Sequence, residues 1–175
     1  MATPTTLPAT FVAGNVLTAA EMNALRGGFR ILQVVSTTKT DSFSTTSTSF
    51  VDVTGLSASI TPTSADSEVL IMLTGLVASA TGGSVRLNLV RDSTNIAQST
   101  GSGSVDQTLC LRTDSSTGAD SIAVNYLDSP ATTSATTYKV QLASVTGGSA
   151  SYVGRHASDD NRRSIATLTV MEVSA

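Results

Sequence analysis

From Phe29 onward the apolar residues of this chain recur with a period of two, and that alternation constrains the fold more than any other feature. Phe29, Ile31, Gln33 and Val35 alternate with Arg30, Leu32 and Val34, and Val85, Leu87 and Leu89 alternate with Arg86 and Asn88. Near the C-terminus, Ile165, Thr167, Thr169 and Met171 alternate with Ala166, Leu168, Val170 and Glu172. Successive side chains of a strand point to opposite faces, so this pattern predicts strands rather than helices. Glu68 to Leu73 is nearly continuous apolar sequence, as expected of a central strand. Between the runs stand turn signals: Gly55 as a bend or bulge, Pro62 to Ser67, Gly82-Gly83, the Gly/Ser stretch Thr100 to Ser104, and Gly147-Gly148, which reads as a hairpin turn. The passage Ser36 to Ser49 is rich in serine and threonine and reads as a loop or irregular edge.

Eight to ten short strands with no helix-length segment between them exclude a parallel βαβ sheet. The expected fold is all-β, an antiparallel β-sandwich of jelly-roll type over residues 29–175, with Val69, Ile71, Leu73, Leu87, Leu89, Val124, Val140 and Leu142 in its core. A hydrophobic share of 40% against 13% charged residues is the reverse of a disordered chain's balance.

Residues 1–28 read differently. The first twenty carry no charge, and Pro4 and Pro8 favour an extended backbone. Thr18 and Glu21 then form a capping-box pattern, with Leu17 and Met22 at hydrophobic-staple spacing. Alanines at 19, 20 and 24 favour a short helix over about 18–27, and Gly27-Gly28 ends it. A helix that short needs a surface to dock on. The segment is therefore expected to be an attachment arm, with Leu7, Phe11, Val12, Val16, Leu17, Met22 and Leu25 as its apolar contacts.

Chemistry-bearing motifs are sparse. A net charge of −3 argues against nucleic acid as a partner. A single cysteine, Cys110, excludes an internal disulfide and a CxxC metal site; between Leu109 and Leu111 it reads as a small buried or half-buried hydrophobe. The longest apolar run, Val69 to Val77, is too short to span a bilayer, so no membrane insertion is expected, and no basic N-terminal region marks a secretory signal. His156 lies near Asp159 and Asp160, but there is no G-x-S-x-G elbow, and Arg155, Arg162 and Arg163 are placed to neutralise the acids. Gly101-Ser102-Gly103 lacks the third glycine of a phosphate loop, having Asp106 there. Neither cofactor nor metal is implied, and no enzyme activity is expected.

Stretches at the start, in the middle and in the later part of the chain resemble virion proteins of tailed bacteriophages. FVAGNVLTAAEMNALRGG is similar to the start of many such proteins, in which a T-A-x-x-M/L-N helix precedes the body. LQVVSTTKTDSFSTTSTSFVDVTGLSASITPTSADSEVLIMLTG resembles a family of phage structural and tail-associated β domains, and NYLDSPATTSATTYKVQ and SIATLTVMEV resemble its later part. The resemblance implies a non-enzymatic particle component: a tail-fibre, minor tail or capsid decoration protein, exposed on the virion and forming a homotrimer. Its partners would be other virion proteins and, for an adhesin, a host-surface glycan. The alternative is a free carbohydrate-binding or receptor-binding module, for which three tyrosines and no tryptophan offer little stacking surface.

Overall fold

The computed structural model describes residues 31–100, 107–113 and 118–174. The expected arm and helix, with all seven of their apolar residues, lie outside the described residues. Within them the chain is all-β: eleven strands, every pairing antiparallel, and no helix.

The strands are β1 (Ile31–Lys39), β2 (Phe43–Thr45), β3 (Val51–Ile60), β4 (Glu68–Ser79), β5 (Ser84–Arg91), β6 (Thr94–Ile96), β7 (Leu109–Arg112), β8 (Asp120–Asp128), β9 (Thr136–Ser144), β10 (Ser151–Val153) and β11 (Ala166–Val173). They form two sheets. In the first, β4 is flanked by β8 on one edge and by β11 and β10 in succession on the other, because Leu73 pairs with both Val124 and Leu168, and Val77 with both Asp120 and Val153. Outside these lie β1, paired with β11, and β2, paired with β10. Its rows therefore run β8, β4, β10/β11, β1/β2. In the second sheet β5 pairs with β9 on one edge and with β7 and β6 in succession on the other, and β3 lies outside β9, giving β3, β9, β5, β6/β7.

Alternation decides what each strand buries. Val69, Ile71 and Leu73 of β4, and Leu168 and Val170 of β11, point inward from the first sheet. Leu87 and Leu89 of β5, Val140 and Leu142 of β9, and Leu56 and Ile60 of β3 do so from the second, and all of them share one core. Of the eight core residues expected from the alternation, seven are buried, and Val124 is half-buried against the same cluster. Burying each large aliphatic side chain is worth about 1.5–3 kcal/mol before ordering costs.

Three expectations are corrected. Ser36–Lys39, expected as a loop or irregular edge, belong to the edge strand β1, because Ser36 and Thr38 pair with Thr169 and Thr167 of β11, Ser36 through its hydroxyl (Oγ to Oγ1, 2.8 Å). Gly147-Gly148 makes a turn, with Ser149 N donating to Thr146 O at 3.1 Å, yet it is no hairpin: it carries the chain from β9 in one sheet to β10 in the other. Cys110 is exposed, since Leu109 and Leu111 take the inward positions of β7 and leave it facing out. The bend at Gly55 is seen, as a register shift of β3 against β9 between Asp52 and Ser57.

Candidate functional site

The two sheets present outer faces of opposite character. On the second sheet, the exposed charged and amide side chains of β3, β5 and β9 are engaged. Asp52 accepts from Lys139 Nζ and Gln141 Nε2, each at 2.7 Å. The hydrogen bond from Lys139, then that from Gln141, holds the Asp52 carboxyl below its ordinary value. Arg86 donates to the carbonyls of Thr48 (2.7 Å) and Ser144 (3.1 Å), and its guanidinium lies over the Phe50 ring at 5.5 Å. Toward the middle of this face Asn88, Val90 and Ala143 are nevertheless buried, with Gln98 Nε2 and Thr108 N donating to Asn88 Oδ1.

The outer face of the first sheet is apolar at one end. The register aligns Val34 of β1 with Met171 of β11, Met171 with Leu70 of β4, and Leu70 with Leu127 of β8. These four side chains make a continuous row across the sheet. Val34 is 55% exposed and Leu127 47%, and Leu32 at 43% and Ile31 at 55% extend the patch along β1. The next row toward the middle, Ser36, Thr169, Met72 and Asn125, is largely polar. Among the outward-facing residues of β1, β4, β8 and β11, only Glu68, at the end of β4, is charged. At the opposite end, Tyr152 of β10 stands under the Arg155 guanidinium at 4.5 Å.

The sequence carried a signal for this patch. Strands with apolar residues on both alternating sets, Leu32 and Val34 beside Val35, or Leu70 and Met72 beside Val69 and Ile71, have two faces to cover and not one.

The histidine loop is held by its arginines. Arg155 Nη1 and Arg163 Nη2 both contact Asp160, at 3.0 and 2.8 Å, and Arg162 meets Asp159 at 3.1 Å. His156 N donates to Arg162 O at 2.9 Å, which closes the loop. The acids that might have served a histidine are thus occupied with cations. No cluster of three or more His, Cys, Asp or Glu able to hold a metal occurs among the described residues. Gly101-Ser102-Gly103 and Asp106 lie outside them. No helix among the described residues is long and apolar enough to cross a membrane.

Compared with protein families and with curated proteins, the chain matches none.

Proposed function

We propose that this chain is a non-enzymatic structural protein of a bacteriophage virion, a surface-exposed trimeric jelly roll attached to the particle by its N-terminal arm. The observation that carries the reading is the three-part sequence resemblance, which extends from Phe11 to Val173. The order of the strand rows supports the jelly roll. Taken in chain sequence as eight rows, the first, eighth, third and sixth make one sheet and the second, seventh, fourth and fifth the other. This order matches that of a double Greek key, in which every successive pair of rows except the fourth and fifth crosses between sheets. The carboxylates of Asp159 and Asp160 are committed to Arg155, Arg162 and Arg163, as suits a structural loop.

Attachment rests on the arm, whose first twenty residues carry no charge. Three anchors such as Leu7, Phe11 and Val16 in a partner's groove would contribute about 4–9 kcal/mol before ordering costs, and symmetric copies would add avidity. The test is loading onto particles that lack the protein. The full chain binds them, whereas a chain beginning at Phe29 folds and stays in solution; binding by the shortened chain would end the attachment reading. Copy number per particle, measured on purified virions, separates capsid from tail: hundreds of copies place it on the capsid, a handful on the tail.

A further inference from the structure

We propose that the outer apolar row Val34–Met171–Leu70–Leu127 is the seat of the chain's own segment 17–29, the stretch whose sequence predicts a capped helix. The proposal goes beyond the virion reading and would hold for a chain with any role.

Chain continuity is the first argument. β1 begins at Ile31, on the outermost row of this sheet and at the apolar end of the face. The segment that must be covered therefore joins the chain beside the patch that must be covered. Exposed at 55% and 43%, Ile31 and Leu32 extend the apolar surface back toward Phe29.

Dimensions agree as well. The row crosses four adjacent strands, three spacings of about 4.8 Å, so it is about 14 Å long. A ten-residue helix over 18–27 is about 15 Å long. Three helical residues advance about 4.5 Å, nearly one strand spacing. A helix laid across the strands, with its glycine end toward β1, thus sets Leu25 over Met171, Met22 over Leu70 and Ala19 over Leu127, with Leu17 closing the far end. Leu25 and Met22, three apart, share one helix face.

Charge fits too. Glu21 falls outside the 19–22–25 stripe, Arg26 shares it only at the glycine end, where a long side chain can carry its charge past the sheet edge to water, and the row itself bears no charge to oppose a Met and Leu surface. The polar outer face of the second sheet, with Asp52, Lys139 and Arg86, offers such a stripe nothing.

Seating 17–29 would leave Leu7, Phe11, Val12 and Val16 as the residues free to reach another molecule. It would also fix the face from which they depart.

Disulfide trapping in the full chain tests this. In a Cys110→Ser background, Met22→Cys is combined with Leu70→Cys, or, as a control on the opposite sheet, with Gln141→Cys. Mild oxidation is expected to close an intrachain bridge in most molecules of the first pair and to leave the control as thiols. Leu25→Cys with Met171→Cys repeats the test should Leu70→Cys impair folding. Bridges between chains would overturn the proposal in favour of a second copy on the row. Equal bridging in target and control, or bridging in neither, would overturn it outright.

Discussion

Arg91 of β5 and Asp128 of β8 meet across the two sheets: the Arg91 Nη1 atom donates to both carboxylate oxygens of Asp128, at 3.0 and 2.8 Å. Tyr138 of β9 donates its hydroxyl to the same carboxylate at 2.7 Å. One acid on the edge of the first sheet thus holds two strands of the second. Asp128→Ala is expected to cost about 2–4 kcal/mol, because it strands the buried Tyr138 hydroxyl and one charge of an interior pair. Chemical denaturation measures it. A double-mutant cycle with Tyr138→Phe should show coupling above about 0.5 kcal/mol; additive losses would mean that the three groups act separately.

The same arrangement gives an alkaline signature. Burial, then the hydrogen bond to Asp128 and its charge, push the Tyr138 phenol far above its ordinary value. A raised folded-state value means that the contribution is complete below the unfolded pKa and is lost as pH rises beyond it. In absorbance titration of the native protein, Tyr138 should remain protonated well beyond the ordinary tyrosine range, and Tyr138→Phe should flatten the loss of stability above about pH 10.

Glu172 has the opposite dependence. Burial alone would push its carboxyl up. The hydrogen bonds from Thr63 N and Oγ1, both at 2.7 Å, and from Gln33 Nε2 at 2.6 Å outweigh that and hold it below the ordinary value. The unfolded chain then binds the proton more readily. Stability is therefore present above the usual glutamate range and falls as pH drops from about 4.5 through the lowered value. Glu172→Gln should cost about 1–3 kcal/mol at neutral pH and remove part of the acid sensitivity seen in pH-dependent melting. An unchanged acid limb would show that Glu172 does not set it.

Gly154 and Gly148 both have positive φ, 80° and 79°, but only the first is crowded. A Cβ at Gly154 would stand 3.1 Å from Asp41 O and 3.2 Å from Ser164 O, while at Gly148 it meets nothing within 4 Å. Gly148→Ala should cost only the backbone strain of about 1–2 kcal/mol. Gly154→Ala should cost clearly more, since backbone carbonyls cannot step aside without disturbing the Gly154 N to Leu76 O bond at 2.9 Å. Equal losses would refute the crowding argument.

A trimer is the expected solution or particle-bound state, with a mass about three times 17.8 kDa by sedimentation or light scattering. A stable monomer both in solution and on particles would count against the assembly proposed above.

How far the fold could be read in advance depended on periodicity. Side chains at 69, 71 and 73, or at 87 and 89, declared their face because apolar and polar positions alternate or because a run was uniformly apolar. Ser36–Lys39 escaped because serine and threonine suit both an exposed loop and the outer row of a sheet, and only the partner strand β11 decides between them. The inward position of Glu172 was legible from its step with Ala166, Leu168 and Val170. Its ligands Gln33 and Thr63, 139 and 109 residues away in sequence, were not. The two-sided apolar strands were visible in the sequence, but not that Val34, Met171, Leu70 and Leu127 form one row, since they come from four strands whose adjacency no local pattern encodes.

The position of β11 bears on how the chain reaches this structure. It lies between β1 and β4, so the earliest described strand and a central strand both await a partner that leaves the ribosome after every other described strand. Until then β4 has an open edge over Glu68–Thr74, and β1 has no partner at all. Pairings so distant in sequence fold slowly, and unpaired apolar edges invite association with other nascent chains. A chain cut short before Ala166 would therefore be expected to aggregate rather than fold to a smaller domain, which makes the synthesis of β11 the step at which this β body can close.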